Sequence, residues 1–154
     1  MTGGRGFIGR RVASHLEAAG FNVSAPCHAD LDVLAPLVTS ERPDVVVHLA
    51  GRSVIAESWK DPAAFYGVNA GGTVNVLDYC RRVDARLINI NGYCYGRTEV
   101  LPTPESEPLR ATNPYALSKL AAEESCNFFR DCFGLAVTTL RVFNAYGPGR
   151  PTVS

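Results

Sequence analysis

The run from Asp44 to Ala50 (DVVVHLA) constrains the fold of this chain most strongly. Its consecutive valines are not interrupted by polar residues, which is typical of a parallel strand buried on both faces. Two further apolar runs, Arg86–Asn91 and Ala136–Phe143, follow it, and long helical patterns separate the three. Parallel strands joined through helices predict an α/β fold with a doubly wound parallel sheet.

Other elements are predicted around these strands. A helix follows the opening glycine-rich segment and ends at Gly20, a strand is expected over Phe21–Ala25, and a short helix is expected to end near Glu41. A long helix is expected over 62–83. The pair Gly71-Gly72 inside it indicates close approach of another backbone rather than a break.

Composition excludes several classes of protein. The chain has 154 residues, of which 46% are hydrophobic and 19% charged, and its formal net charge is zero. This balance fits one globular domain and provides no basic excess for nucleic acid. The apolar runs are too short to span a bilayer, so we expect a cytoplasmic protein without membrane contacts. The five cysteines show no C-x-x-C pair, and neither a disulfide framework nor a metal site is predicted.

The segment Asn113–Lys119 (NPYALSK) places the phenol of Tyr115 and the ammonium of Lys119 four residues apart. Asn113 favours a helix start and Gly134 a helix end, so a helix is predicted over about 114–133, with both side chains on one face. The positive helix end and the ammonium are both expected to lower the pKa of the phenol. By itself, the motif also fits a surface tyrosine and lysine on an amphipathic helix.

The chain opens with Thr2–Gly9 (TGGRGFIG), directly before a predicted helix. Such a loop lets backbone N–H groups and a helix N-terminus approach a pyrophosphate. It normally follows a buried strand, but only Met1 precedes it here. We therefore expect the reading frame to extend upstream.

The sequence leaves the choice between NAD and NADP open. An acidic residue after the second strand would hold the adenosine ribose, and an arginine would accept a 2′-phosphate. That position carries Pro26, Cys27 and His28, whereas Arg5 in the glycine loop either reaches a phosphate or is solvated. His48 is interpreted as a packed core residue rather than a ligand.

Taken in order, these segments resemble the extended short-chain dehydrogenase/reductase family, specifically its NAD-dependent epimerase/dehydratase group acting on nucleotide sugars. The matching segments are TGGRGFIG, HLAG, SVIAESWKDPAAFYGVNAGGTVNVL, YG at 95–96, NPYALSK and LRVFNAYGPG. The resemblance covers essentially the whole chain. It implies that residues 1–154 form a partial NAD(P)-binding Rossmann domain, lacking the family's first strand and its C-terminal substrate domain. We expect this chain alone to be inactive.

The resemblance also implies roles for individual residues. Contacts to NAD or NADP would come from Gly3, Gly6, Phe7, Ile8, Gly9, Asp30, Leu31, Leu49, Ala50, Gly51, Lys119 and Phe143. Tyr115 would exchange a proton with a sugar hydroxyl during hydride transfer between the sugar and nicotinamide, with Lys119 assisting it. Asn91, Tyr93 and Asn144 would contact the nucleotide-sugar substrate.

Asn91 departs from the family pattern, which usually has Ser or Thr at this position. An amide can polarise a carbonyl but relays protons poorly, so Asn91 either serves as an oxyanion donor or marks an impaired enzyme. Gly92-Tyr93 replaces the Asp-Glu pair of the dehydratases, which leaves epimerisation or reduction. Tyr93 is either an additional acid or base or a packed aromatic. Two hypotheses follow: a nucleotide-sugar epimerase or reductase, and a non-catalytic dinucleotide-binding or regulatory homologue.

The two long predicted helices, over 62–83 and 114–133, are apolar on more than one side. In the family, the corresponding helices of two subunits form a four-helix interface. The resemblance therefore implies a homodimer. Burial of both helices within one subunit is the alternative.

Overall fold

The computed structural model describes residues 1–149. Its elements in chain order are α1 (Phe7–Ala18), β1 (Val45–His48), α2 (Ile55–Lys60), α3 (Pro62–Tyr66), a π-helical segment (Gly67–Gly71), α4 (Gly72–Val83), β2 (Arg86–Asn91), α5 (Pro114–Phe133) and β3 (Val137–Arg141).

The three strands form one parallel sheet in the order β1-β2-β3. Val45 is in register with Arg86, and Leu87 with Val137. The main core contains apolar residues of β1, β2, α4 and α5, among them Val46, Val76, Leu77, Cys80, Leu87 and Cys126. The predicted parallel α/β sheet is confirmed.

The helix predicted over 62–83 is continuous, but a π-helical segment joins α3 to α4 within it. A Cβ at Gly72 would lie 2.9 Å from Val33 Cγ2. A close neighbour is therefore present at Gly72, but it is a side chain, and the nearest backbone atom, the Val33 oxygen, lies at an ordinary contact distance of 3.6 Å from the added Cβ; the prediction of a close backbone is wrong. A Cβ added at Gly71 would meet no atom of another part of the structure within 4 Å.

α5 has the predicted bounds and caps. The Asn113 side chain accepts a hydrogen bond from the N–H of Ala116 at 2.8 Å, and Pro114 is the first helical residue. Gly134 ends the helix with a φ of 68°, a left-handed conformation that costs glycine little. No helix within residues 1–149, α5 included, is long and apolar enough to cross a membrane.

Two predicted elements are wrong. Phe21–Ala25 is not a strand: a strand needs a neighbour to pair with, and this segment pairs with none of β1, β2 and β3. The Met1 amino group donates a hydrogen bond to the Ser24 carbonyl, and Thr2 forms a single isolated bridge with β1. The short helix expected before Glu41 is replaced by turns, since Pro36 removes a backbone donor and disfavours helical geometry in the residue before it.

Candidate functional site

The loops that leave the three parallel strands lie at the carboxyl edge of the sheet, where open α/β sheets bind ligands. Residues 49–51 follow β1, residues 92–96 follow β2, and residues 142–144 follow β3. The first turns of α5 bring Tyr115 and Lys119 to the same edge.

The glycine loop is wound too tightly for side chains. A Cβ at Gly3, whose φ is 65°, would lie 2.5 Å from the Ala50 nitrogen, and one at Gly9 would lie 2.2 Å from the Gly3 oxygen. Gly6 is the N-cap of α1 and provides no side-chain cap. The start of α1 therefore offers backbone N–H groups and a positive helix end to an anion, which fits a pyrophosphate.

Lys119 lies between the ends of β1 and β2. Its Nζ donates to the Ile90 carbonyl at 2.9 Å, and a Cβ at Gly51 would lie 3.5 Å from that nitrogen. Tyr115 lies over Gly92, since a Cβ at Gly92 would be 2.1 Å from the phenol oxygen. The structure thus brings the phenol and the ammonium to the ends of neighbouring strands.

The expected lowering of the Tyr115 pKa is wrong for this arrangement. Burial raises the pKa of Tyr115, and the Cys94 thiol adds to the rise. Burial also lowers the pKa of Lys119 to about 8. Loss of hydration disfavours the charged form of each group, and neither the helix end nor the Lys119 ammonium is among the causes of the Tyr115 shift.

Both polar atoms of the Asn91 amide have partners inside the protein. Nδ2 donates to Glu123 Oε2 at 2.6 Å and to the Lys119 carbonyl at 3.3 Å. Oδ1 accepts from the Gly92 N–H at 3.0 Å. The side chain is buried with 3% exposure, so it connects β2 to α5 in this structure.

Glu123 is the centre of this connection and was not predicted as a site residue. Its carboxylate is buried and also accepts from Arg141, with a shortest distance of 2.5 Å to Nη2. Arg141 Nη1 donates to the Tyr95 hydroxyl at 2.7 Å. The available signal was its spacing, because Glu123 lies four residues after Lys119 and so one turn further along the same helix face.

Asn69 is a second buried residue whose position sequence reasoning missed. Its Oδ1 accepts from the Arg52 N–H at 2.8 Å, and its Nδ2 donates to the Arg52 carbonyl at 3.0 Å and to Ser118 Oγ at 2.9 Å. It therefore fixes the loop after β1 against α5. Asparagine in a helix interior is unfavourable, and that was the signal available in the sequence.

The other predicted contacts are more dispersed. Tyr93 and Phe143 are partly exposed and meet edge to face, with ring centroids 5.0 Å apart, whereas Asn144 is exposed beyond them. Asp30 is exposed and accepts from the Cys27 N–H at 3.2 Å. The remaining predicted residues are half-buried: Phe7, Ile8, Leu31, Leu49 and Ala50.

A hydrogen bond from the Cys27 thiol lowers the pKa of Asp30, and the Arg5 guanidinium contributes to the lowering. Arg5 and Asp30 have opposite preferences for a 2′-phosphate, so these two residues leave the choice between NAD and NADP open.

Comparison with solved structures relates this geometry to known proteins. RMD from Pseudomonas aeruginosa, solved in complex with NADPH, superposes with a TM-score of 0.85 at 33% identity, covering 97% of this chain and 55% of that one. UDP-glucose 4-epimerase from Thermotoga maritima, solved with UDP-glucose, gives a TM-score of 0.87 at 29% identity, covering 96% and 55%.

The sequence comparisons agree with the structural ones. GDP-6-deoxy-D-mannose reductase of Pseudomonas aeruginosa is 36% identical over 161 residues, which cover 97% of this chain and 53% of the reductase. UDP-glucose 4-epimerase of Lacticaseibacillus casei is 29% identical, covering 96% and 51%. The chain thus spans about half the length of these curated relatives. The model of the NAD dependent epimerase/dehydratase family matches residues 1–154, and this chain therefore belongs to that family.

Proposed function

We propose that this chain is the dinucleotide-binding part of an NAD(P)-dependent nucleotide-sugar epimerase or reductase in which Tyr115 exchanges a proton with a sugar hydroxyl. The observation that carries the proposal is the convergence of the phenol, the Lys119 ammonium and the glycine loop at one edge of the sheet. The phenol lies against Gly92, the ammonium lies against Gly51, and Gly3 packs on Ala50.

The glycine loop and the loop after β1 would hold the dinucleotide. Gly3 and Gly9 supply a backbone surface without side chains, and the uncapped start of α1 would face the pyrophosphate. Lys119 would bind the nicotinamide ribose. NAD or NADP would supply the hydride acceptor or donor that neither Tyr115 nor any other side chain can provide.

Tyr115 would act as a neutral acid or as the base generated from it. Its raised pKa means that the phenol carries its proton at neutral pH, so proton donation to a sugar oxygen is the favoured direction in this state. Proton abstraction would need added positive charge, which an oxidised nicotinamide and the Lys119 ammonium would contribute.

The geometry of Asn91 favours a second candidate function, a non-catalytic dinucleotide-binding or regulatory homologue. The family's hydroxyl relay is replaced here by an amide committed to Glu123 and to the Gly92 N–H. An amide held in this way has no proton to pass between the substrate and Tyr115.

Two substitutions in the longest open reading frame that contains this chain separate the candidates. Binding of NADH and NADPH and turnover of UDP- and GDP-sugars would be measured for Tyr115→Phe and Asn91→Ser. Thr138→Val is the control for loss of a hydroxyl, because Thr138 is exposed on β3 and lies outside both helices proposed below for the dimer. For an enzyme, Tyr115→Phe should lower turnover by roughly 10²–10⁴-fold without weakening dinucleotide binding to a similar extent.

For the non-catalytic homologue, the natural protein should bind a dinucleotide but turn nothing over. Asn91→Ser should then raise turnover by orders of magnitude. Absence of both dinucleotide binding and turnover would refute both candidates.

We also propose that the protein forms a homodimer through the helices over 62–83 and 114–133. Support comes from apolar side chains that remain exposed on these helices, Tyr66 and Val74 on one and Leu117 and Phe128 on the other. Phe128→Glu should convert the dimer to a monomer in sedimentation equilibrium. A wild-type protein that is monomeric at all concentrations tested would contradict this.

A further inference from the structure

A chain of buried hydrogen bonds runs beneath the candidate site. Thr2 Oγ1 lies 2.6 Å from His48 Nδ1, and His48 Nε2 lies 3.1 Å from Thr73 Oγ1. Thr73 Oγ1 donates to the Asn69 carbonyl at 2.6 Å, while Thr2 Oγ1 accepts from the Ala50 N–H at 3.3 Å. Thr2, His48 and Thr73 are 5%, 2% and 1% exposed, so water does not compete for these bonds.

Only one assignment of donors and acceptors fits the hydrogen bonds among Thr2, His48, Thr73 and Asn69. Thr73 has a single hydroxyl proton, which it gives to the Asn69 carbonyl, so its oxygen must accept the proton of His48 Nε2. The Nδ1 atom of the neutral ring is then bare and accepts from the Thr2 hydroxyl. Burial, assisted by the charge of Lys119, lowers the pKa of His48 to about 3, which is consistent with the neutral ring.

The two ends of this series of hydrogen bonds lie at the glycine loop and at α5, the two parts of the candidate site. Thr2 directly precedes Gly3, the first glycine of the loop. At the other end, Asn69 Nδ2 donates to Ser118 Oγ at 2.9 Å, and Ser118 Oγ donates to the Tyr115 carbonyl at 2.7 Å. The same asparagine therefore connects the His48 chain to the first turn of α5.

The start of the glycine loop is held by backbone bonds and by the Thr2 side chain. Thr2 is held to the sheet by an isolated bridge, with one bond from its N–H to the Val47 carbonyl and one from the Leu49 N–H to its carbonyl. The Gly6 N–H also donates to the Gly3 carbonyl at 3.0 Å. The Thr2 hydroxyl adds its bonds with His48 Nδ1 and the Ala50 N–H, so its removal should loosen the residue that precedes Gly3. Asn69 lies in the π-helical segment, a local distortion that is frequent at functional sites.

We propose that His48 is a positioning residue that couples the glycine loop to the helix of Tyr115, so that dinucleotide binding and the placement of the phenol depend on one hydrogen-bonded unit. His48 is buried and would act through Thr2 on one side and Thr73 on the other. The role of the dinucleotide as the ligand rests on the proposed function, whereas the coupling between the two threonines does not.

A double-mutant cycle tests the coupling. Thr2→Val and Thr73→Val each remove the hydrogen bond to His48 and one other, to the Ala50 N–H or to the Asn69 carbonyl, and should each weaken binding of NADH or NADPH by about tenfold. The two threonines bond different nitrogens of one ring, so the double variant should bind clearly more tightly than the product of the two single losses. Residues without a shared partner give additive effects, and a double variant weakened by about a hundredfold would overturn the proposal.

Two controls keep the cycle interpretable. Thr138→Val makes the same change at an exposed position of β3 and should leave the dissociation constant unchanged. Thr73→Ser retains the hydroxyl and should bind within about twofold of the wild type, even if Thr73→Val fails to fold. A Thr73→Ser variant as weak as one that lacks the hydroxyl would refute the role of the hydrogen bond.

Nitrogen NMR of His48 in the wild-type protein provides a test that needs no variant. The assignment requires a neutral ring with its proton on Nε2, and a proton on Nδ1 or a charged ring at neutral pH would overturn it. If the wild type binds neither dinucleotide, the proposed function fails. The tautomer, and the same double-mutant cycle measured on the denaturation midpoint, still decide whether the coupling exists.

Discussion

Gly92→Ala is the most direct test of the position of Tyr115. An alanine Cβ would lie 2.1 Å from the phenol oxygen, whereas observed Cβ contacts essentially never fall below 3.0 Å, so the two atoms must separate by about 0.9 Å. The φ angle of Gly92 is not among the positive values found in this chain, which leaves the contact itself as the cause. Overpacking of this kind costs about 1–3 kcal/mol.

Chemical denaturation of four proteins measures this cost. They are the wild type, Gly92→Ala, Tyr115→Phe and the double variant. Without the hydroxyl, the nearest ring atom is Cζ at 3.3 Å from the added Cβ, so most of the penalty should disappear in the Tyr115→Phe background. In an active full-length protein, displacement of the phenol by about 1 Å should also lower turnover by about 10²-fold, which corresponds to about 2.7 kcal/mol.

Gly71→Ala is the matched control for this experiment. Gly71 lies in helical backbone with nothing within 4 Å of an added Cβ, so alanine should be neutral or stabilising by up to about 1 kcal/mol. The reasoning would be refuted if Gly92→Ala were as stable as Gly71→Ala. It would also be refuted if the penalty were the same with and without the Tyr115 hydroxyl.

Three other predictions concern the buried groups around α5. Asn91→Asp places a second carboxylate where the amide nitrogen is 2.6 Å from Glu123, so denaturation at pH 7 should show a loss in the free energy of unfolding on the order of 3 kcal/mol. The loss should shrink as the pH falls and one carboxyl takes up a proton, and a loss that does not change with pH would contradict this. Arg141→Met leaves the buried Glu123 carboxylate with Asn91 as its one remaining side-chain donor, so the free energy of unfolding should fall by about 3–5 kcal/mol. A loss below about 1 kcal/mol would show that the Glu123–Arg141 pair is solvated. The pKa of Lys119 is lowered from 10.5 to about 8. Between these values the unfolded chain binds the proton and the folded chain does not, so Lys119 itself contributes a rise in the free energy of unfolding. Burial raises the pKa of the Cys80, Cys94 and Cys126 thiols and gives a fall above pH 9, so the quantity to follow is the free energy of unfolding of the wild type minus that of Lys119→Met, which should increase from pH 8 to 10.5; a constant difference would contradict this.

The parallel sheet and α5 were predictable because their signals are local. An uninterrupted valine run and an N-cap, proline and terminal glycine around α5 each act over a few residues. The prediction of a strand over Phe21–Ala25 failed because a strand depends on a neighbouring strand, and this segment pairs with none of the three in the sheet. The π-helical segment within the 62–83 helix contains Asn69, whose side chain bonds Arg52 and Ser118 from other parts of the fold, and no local pattern encodes those contacts.

For the candidate site, the motifs predicted which residues converge but not their protonation. Tyr115, Lys119 and the glycine loop are brought to one edge, as the spacing indicated. The direction of the Tyr115 pKa was wrong because it depends on burial, which sequence distance does not report. The commitment of Asn91 to Glu123 was likewise invisible, since it needs both residues on facing sides of a strand and a helix.

Within residues 1–149 the sheet stops at β1 on one side, apart from the Thr2 bridge, and at β3 on the other. Both margins carry apolar side chains, with Val45 and Leu140 each more than 40% exposed. Peptide groups along such margins recruit further strands from any available source, including identical molecules. Preparations of this polypeptide should therefore be handled dilute, and loss of material on concentration would be a property of its sheet margins rather than of a misfolded core.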